Sequence, residues 1–501
     1  MPRHAVARIT AGEVGGRARG GALLFAGIPY AEPPLAGRRF LPPTPHAGWS
    51  GVRDATRFGP AAPQRPGTGL TAAPLAWDED CLTLNVCTPA VDDEARPVLV
   101  WIHGGGFRTG KGGIPWYDGT SFALRGDIVT VTINYRLGAL GFANLRDVAG
   151  DDFAGSGAAG LLDQIAALAW VRDNVAAFGG DPGRVTIAGE SAGAMSVGAL
   201  LGSPAAAGLF HRAIAQSGAA HHTLSDAASR EVGRDLAAVL GADGAAPLRT
   251  ADVEAILDAQ AQAEARFAAR QRGGNGALAD MAFQPALATQ ALPEPPLDAI
   301  RRGMSAGVPL LCGSNAHETT LFGYGSQDEE RLRRITARIF GAAADAAIAT
   351  YRARRPGAAP GELVVAITSD QIFRIPAIRL CEAHAAAGGT SFAYLFTWAS
   401  RAFEGRLGAT HALEIPFAFN NLGQPGVDVF LGPGERPQAL ADAMHAAWIA
   451  FIRTGDPGCE ALAQPWHGYD AARRFTLELG DAVRPLEDPW GAERALWQDV
   501  V

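Results

Sequence analysis

Lysine is almost missing from this chain: of its 43 basic residues, only Lys111 is not an arginine. The 51 acidic residues bring the formal net charge to −8. No basic block interrupts that balance, which excludes the clustered cations of a nucleic-acid-binding face. Cysteine is also scarce. Cys81, Cys87, Cys312, Cys381 and Cys459 make an odd set with no Cys-x-x-Cys and no Cys/His cluster. No metal site is expected, and reduced thiols in a cytoplasmic protein are the simplest reading. Long apolar runs are lacking too: stretches such as Ile165–Val171 and Ala446–Ile452 fall far short of the roughly 18 residues that a membrane span needs. The first residues, MPRHAVARITAGEVGG, hold no apolar h-region, so no secretory signal is expected.

What remains is globular. Hydrophobic residues are 48% and charged residues 19% of 501, which argues against disorder. Apolar, β-branched runs at Val98–His103, Ile128–Tyr135, Val185–Ala188, Ala213–Ala215, Val308–Cys312 and Phe392–Trp398 predict buried strands. Between them, Leu161, Ile165, Leu168, Val171 and Val175 recur at helical spacing, and Ala192–Leu201 is a second helix-compatible run. Strands alternating with helices predict an α/β fold with a mostly parallel central sheet covered on both faces. Two Ala-rich stretches, at about 219–305 and 327–390, read as helical excursions; Gly273–Gly276 interrupts the first. Core-like strands resume after each, so residues 1–501 are expected to form one domain.

Gly-x-Ser-x-Gly occurs twice, around Ser191 and around Ser305. With 62 glycines the pattern alone is weak, and context separates the copies. Ser191 follows the strand Val185–Ala188 and precedes a helix, as a nucleophile elbow requires. Ser305 precedes a strand and reads as a surface turn. A second glycine-rich segment, His103-Gly104-Gly105-Gly106-Phe107, follows a strand directly. Acyl transfer places negative charge on a carbonyl oxygen, and backbone amides must converge on it. The expected donors are Gly105, Gly106 and Ala192.

A serine hydroxyl needs a base, and the base needs an acid to orient it. In this architecture the acid and then the histidine follow the serine. His211, His221, His222, His317, His384, His411, His445 and His467 all lie downstream, and order alone does not choose among them.

Separate motifs in sequence resemble the type-B carboxylesterases, the carboxylesterase/lipase family that includes cholinesterases and bacterial para-nitrobenzyl esterases. They are Phe25–Pro34 (FAGIPYAEPP), Glu79–Asn85 (EDCLTLN), His103–Phe107, Asn134–Gly138 (NYRLG) and Gly160–Gln164 (GLLDQ), then Phe178–Ile187 running into Gly189–Gly193, and Trp448–Pro457. The resemblance implies an α/β-hydrolase fold whose excursions roof the site, and a carboxylic ester hydrolase with an acyl-enzyme intermediate and no metal or organic cofactor. It implies Glu318 as the acid, in Gly313-Ser-Asn-Ala-His-Glu318, with Thr319 in place of the family's glycine. It implies His411 as the base, in His411-Ala-Leu-Glu414-Ile-Pro-Phe417. His317 beside Glu318 is not expected to serve, and Glu414 reads as a structural hydrogen-bonding residue. Glu190 is placed near the site, where it could favour positive charge on His411, and Ser217 in a Gln-Ser-Gly segment beside the triad or in a structural turn.

The same resemblance implies two ion-pair locks, Arg39 with Glu79 and Arg136 with Asp163. Ala158 stands where the family often has Asn. No cysteine precedes Cys81, so the family's eukaryotic disulfide cannot form, and Trp77 lies too close to Glu79 to bind a quaternary ammonium. The excursions carry few aromatics, among them Phe267, Phe283, Phe322 and Tyr324, so the expected substrate is a small, neutral, mostly apolar ester. A non-catalytic binding or adhesion protein on the same fold, or a hydrolase of amides, carbamates or thioesters, are the competing readings.

Overall fold

Aliphatic and β-branched runs build one long sheet in the computed structural model, which describes residues 4–67, 75–271 and 281–500. The Gly273–Gly276 interruption lies outside the described residues. The strands are β1 (His4–Ile9), β2 (Gly12–Arg19), β3 (Ala22–Pro29), β4 (Val52–Asp54), β5 (Thr83–Thr88), β6 (Arg96–Ile102), β7 (Val129–Ile133), β8 (Gly180–Glu190), β9 (Arg212–Gln216), β10 (Leu310–Asn315), β11 (Ser391–Phe396), β12 (Thr476–Leu479) and β13 (Val483–Leu486). Their spatial order is β1-β2-β3-β5-β7-β6-β8-β9-β10-β11-β12-β13, with β4 pairing with β2. From β7 through β12 neighbours run parallel. The N-terminal strands β1, β2, β3 and β5 and the terminal pair β12–β13 are antiparallel.

Parallel strands β6 to β11 lie where the sequence predicts them, with shifted ends, while β12 was not among the predicted strands. Strand β8 is longer than its apolar core, and β10 begins at Leu310 rather than Val308 and runs on to Asn315. Alternation along β6 shows why both faces must be covered. Val98, Val100 and Ile102 face one core with Leu161, Leu168 and Val171 of helix Ala159–Asn174. Leu99 and Trp101 face the other, with Met444, Trp448 and Phe451 of helix Gln438–Thr454.

The excursions are helical. The first holds Asp226–Leu240 and Val253–Arg270. The latter reaches back to two segments: Gln260 Oε1 accepts from the amide of Ala139, directly after Asn134–Gly138, at 2.9 Å, and Glu264 pairs at 3.0 Å with Arg108, directly after the glycine-rich segment. Phe267 and Phe283 belong to the main core rather than to any open surface. The second excursion includes Ala344–Arg354, Pro360–Ser369, a π-helical turn at Asp370–Arg374, and Ile375–Ala386. Trp497, near the C-terminus, joins the apolar cluster of this excursion.

Ser305 departs from expectation only in the burial of its side chain. It does sit in a turn, but it is 4% exposed, and its carbonyl accepts from His384 Nε2 at 3.0 Å. The turn itself lies at the surface, with Met304 and Gly307 exposed, while the Ser305 side chain is turned inward. Both ion-pair locks form. Arg136 and Asp163 are buried and bonded at 2.7 Å, and Arg39 grips Glu79 with two 2.7 Å bonds. Arg39 also donates to the carbonyls of Leu248, Arg249 and Ala251, tying the N-terminal region to the first excursion. All five cysteines are free thiols. Among the described residues, no helix is long and apolar enough to cross a membrane.

Candidate active site

Ser191 sits at the junction of β8 and helix Ala192–Leu201 with φ +57° and ψ −126°. This is a backbone conformation that a non-glycine residue holds only when its surroundings enforce it. The flanking glycines are the enforcement. A Cβ on Gly193 would lie 2.0 Å from the Ile102 carbonyl oxygen, and one on Gly189 would lie 2.4 Å from the Gly193 carbonyl carbon. Strand β6, strand β8 and the helix thus meet backbone to backbone under the serine. The Ser191 amide donates to the Gln216 carbonyl at 2.9 Å, which fixes the turn from β9.

The glycine-rich segment packs on this turn. A Cβ at Gly104 would fall 2.9 Å from the Ser191 Cβ and 2.7 Å from the Glu190 carbonyl oxygen. Gly105 and Gly106 follow at φ +113° and +61°, values that favour glycine. Ala192 opens its helix, where the first amide has no intrahelical acceptor. The loop continues through Gly110, packed on the Gly104 carbonyl, to the half-buried Lys111.

His411 is 4% exposed. Its Nδ1 bonds Glu318 Oε2 at 2.6 Å, and its amide donates to the Glu318 carbonyl at 3.3 Å. The other carboxylate oxygen of Glu318 accepts from the Asn315 amide at 2.7 Å. On the far side of the ring, Nε2 lies 3.1 Å from Glu190 Oε1. That contact is ionic rather than a directed hydrogen bond, and neither atom has a hydrogen-bond partner. In this arrangement, then, the imidazole faces the carboxylate beside Ser191 and is not bonded to the serine hydroxyl.

A third carboxylate, Glu414, is fully buried behind this pair. It accepts from Asn315 Nδ2 at 2.6 Å and Gln216 Nε2 at 3.2 Å, and Trp448 Nε1 donates to Gln216 at 3.0 Å. Burial pushes Glu190 up to about 8 and Glu414 up to about 7, with neighbouring carboxylates adding to both. Burial alone lowers the His411 imidazole, but Glu190 and Glu318 outweigh it and raise the ring to about 9. With overlapping titrations, the protonation steps of His411 and Glu190 belong to the pair rather than to either residue.

His317 turns elsewhere: its Nδ1 accepts from the Ala409 amide at 3.2 Å. Ser217 has φ +53°, its amide donates to the Gly313 carbonyl at 2.9 Å, and its buried hydroxyl has no partner. Two aromatic rings lie on His411: Phe322, marked in the sequence only as one of the few aromatics of the excursions, and Phe373, which was not marked out. Phe373, 1% exposed, has its centroid 4.6 Å from the imidazole, and Phe322, 48% exposed, has its centroid at 5.4 Å. Phe322 could be suspected from its place four residues after Glu318. Phe373 carries no such signal.

A sequence model of the carboxylesterase family matches residues 3–494. A phenmedipham hydrolase of Pseudarthrobacter oxydans is 38% identical over 512 residues, covering 96% of each chain. A para-nitrobenzyl esterase of Bacillus subtilis (strain 168) is 36% identical over 499 residues, covering 98% of each. Among solved structures, a Geobacillus stearothermophilus carboxylesterase at pH 6.2 superposes with a TM-score of 0.87 at 38% identity, over 98% of this chain and 100% of that one. A PNB esterase gives 0.86 at 35% identity over 99% of both.

Proposed function

Since this chain belongs to the carboxylesterase family and is a carboxylic ester hydrolase, we propose that Ser191, His411 and Glu318 carry the reaction on neutral, mostly apolar esters. Ser191 Oγ attacks the ester carbonyl while His411 Nε2 takes its proton. Glu318 holds Nδ1 and so leaves Nε2 as the basic nitrogen. The amides of Gly105, Gly106 and Ala192 receive the oxyanion, and losing one such donor typically costs about 3–4 kcal/mol of transition-state stabilisation. The imidazolium returns the proton to the departing alcohol. A water deprotonated by the same nitrogen then attacks the acyl-enzyme and releases the acid. Glu190 stabilises the imidazolium between these steps. In the free enzyme it also holds Nε2 away from the serine, a looseness common before substrate binds.

One observation carries this reading. A buried imidazole, bonded at 2.6 Å to a carboxylate 93 residues away in sequence, turns its other nitrogen toward a strained serine turn. The half-exposed ring of Phe322 beside His411 supports the apolar substrate class. The continuous sheet from β1 to β13 supports a single α/β-hydrolase domain. The test is turnover of a short p-nitrophenyl ester by Ser191→Ala. By the subtilisin precedent, kcat falls by about 10⁶; a rate near that of the parent overturns the assignment.

A further inference from the structure

The acid and the base share one support. Thr319, directly after Glu318, occupies a position where the family pattern has glycine, and it is fully buried. Its hydroxyl lies 2.7 Å from Thr368 Oγ1 and 3.2 Å from the Val365 carbonyl, and its amide donates to Ser369 Oγ at 3.3 Å. Thr368 Oγ1 donates to the Val364 carbonyl at 2.7 Å. Each hydroxyl has one proton; with that of Thr368 on the Val364 carbonyl, the Thr319 proton is left for Thr368 Oγ1 or the Val365 carbonyl, both on helix Pro360–Ser369. A glycine there could keep only the amide bond. The loop bearing Glu318 is therefore pinned to the last turn of helix Pro360–Ser369.

The next turn of the same element reaches His411. At Asp370–Arg374 the chain forms a π-helical turn ahead of Pro376. A proline at that place has no amide for an α-helical bond, and its ring crowds the carbonyl four residues back. The turn is clamped from behind. Arg374 bonds Asp370 at 2.6 and 2.7 Å, Tyr351 donates to Asp370 at 2.6 Å, and Trp497 Nε1 donates to Tyr351 at 2.9 Å. Arg374 also reaches the Pro489 carbonyl at 3.0 Å. Phe373 projects from this clamped turn onto the face of the imidazole.

We propose that Thr319 and Phe373 are positioning residues which hold the Glu318–His411 pair from one element, helix 360–369 and its π-turn. A single bond at Nδ1 leaves the imidazole free to rock about that contact. A packed ring face removes the rocking, and a pinned carboxylate gives it a fixed partner. Because both supports come from one element, acid and base keep their spacing if that element shifts.

The inference rests on the proposed Ser191–His411–Glu318 assignment, and the experiment separates the two. Initial rates on p-nitrophenyl acetate are measured for the parent, Ser191→Ala, Thr319→Val, Thr319→Ser and Phe373→Leu, alongside urea midpoints and the rate of labelling by a fluorophosphonate. Thr319→Val and Phe373→Leu each lower kcat and the labelling rate by about 10- to 100-fold, the size expected for a small misplacement of a catalytic group. KM stays within about twofold, and Thr319→Ser restores most of kcat. A purely structural role moves the urea midpoint without this kcat-selective loss. If Ser191→Ala is inactive while either variant keeps parental kcat, the positioning role of that residue is overturned. Thr319→Ser falling as far as Thr319→Val overturns the hydroxyl's part. If Thr319→Val does not fold, Thr319→Gly replaces it, retaining the amide bond alone, and parental kcat in that variant overturns the role equally. If Ser191→Ala retains activity, the assignment fails and this inference fails with it.

Discussion

Glu190 and Glu318 bracket the imidazole of His411, one near each ring nitrogen. In their ionised forms both place negative charge toward the ring, and an ionised Glu414 adds a third, more distant charge. The sign follows directly: anions favour the imidazolium, so they delay formation of the neutral base as pH rises. Glu190→Gln removes one anion and lowers the ring's pKa. The acid limb of kcat/KM then moves to lower pH by about a unit or more, read from a pH–rate profile on a neutral ester; an unmoved limb counts against the role given to Glu190. Ser191 was legible because two glycines, a strand before it and a helix after it leave few alternatives. His411 and Glu318 were not legible from residue chemistry, since eight histidines follow the serine, and resemblance alone chose between them. Phe373 was invisible for a different reason. A phenylalanine in an apolar helix looks like core, and only the extra residue of a π-turn together with the tertiary fold brings it to the imidazole.

Strand β8 and the helix after Ser191 show how tightly an element boundary can be specified. With a Cβ at Gly193 only 2.0 Å from a carbonyl oxygen of β6, Gly193→Ala must separate strand from helix. The expected result is a loss of ester turnover of about 10²-fold together with a lower urea midpoint; a variant with parental turnover and midpoint shows that the contact yields without consequence. The parallel strands β6 to β11 were readable because burial on both faces demands unbroken aliphatic runs, whereas β12, the short TLEL segment, was not. The antiparallel N-terminal strands were not. The β2 sequence GEVGGRAR holds one aliphatic residue beyond alanine, and it becomes a strand through pairing with β1, β3 and β4. The turn around Ser305 lies at the surface as read, but nothing in Gly-Met-Ser-Ala-Gly announces that the serine itself turns inward, where a histidine of helix Ile375–Ala386 binds its carbonyl.

Across the molecule, distant segments are joined by buried charge. Arg136, after β7, is held by Asp163 of helix Ala159–Asn174, with exposures of 3% and 0%. Asp163→Asn leaves that guanidinium without its counter-ion in the interior, and unfolding by urea is expected to show a loss of roughly 3–5 kcal/mol. A change below about 1 kcal/mol, the range of exposed pairs, shows that the pair is dispensable. Arg39 performs the same kind of joining between the N-terminal region and the first excursion, and the last residues do so for the second excursion through Trp497.

The basic side chains of this protein are guanidinium groups with one exception, and that exception, Lys111, stands in the loop that begins at Gly104 and wraps past His103. Guanidinium groups do not react with succinimidyl esters or aldehyde resins at neutral pH, whereas an amine does. Conjugation through side-chain amines therefore has a single address, in the loop that carries Gly105 and Gly106. A dye or bead attached there is tethered to the same loop as the oxyanion donors proposed above, even though no lysine is given a part in the chemistry.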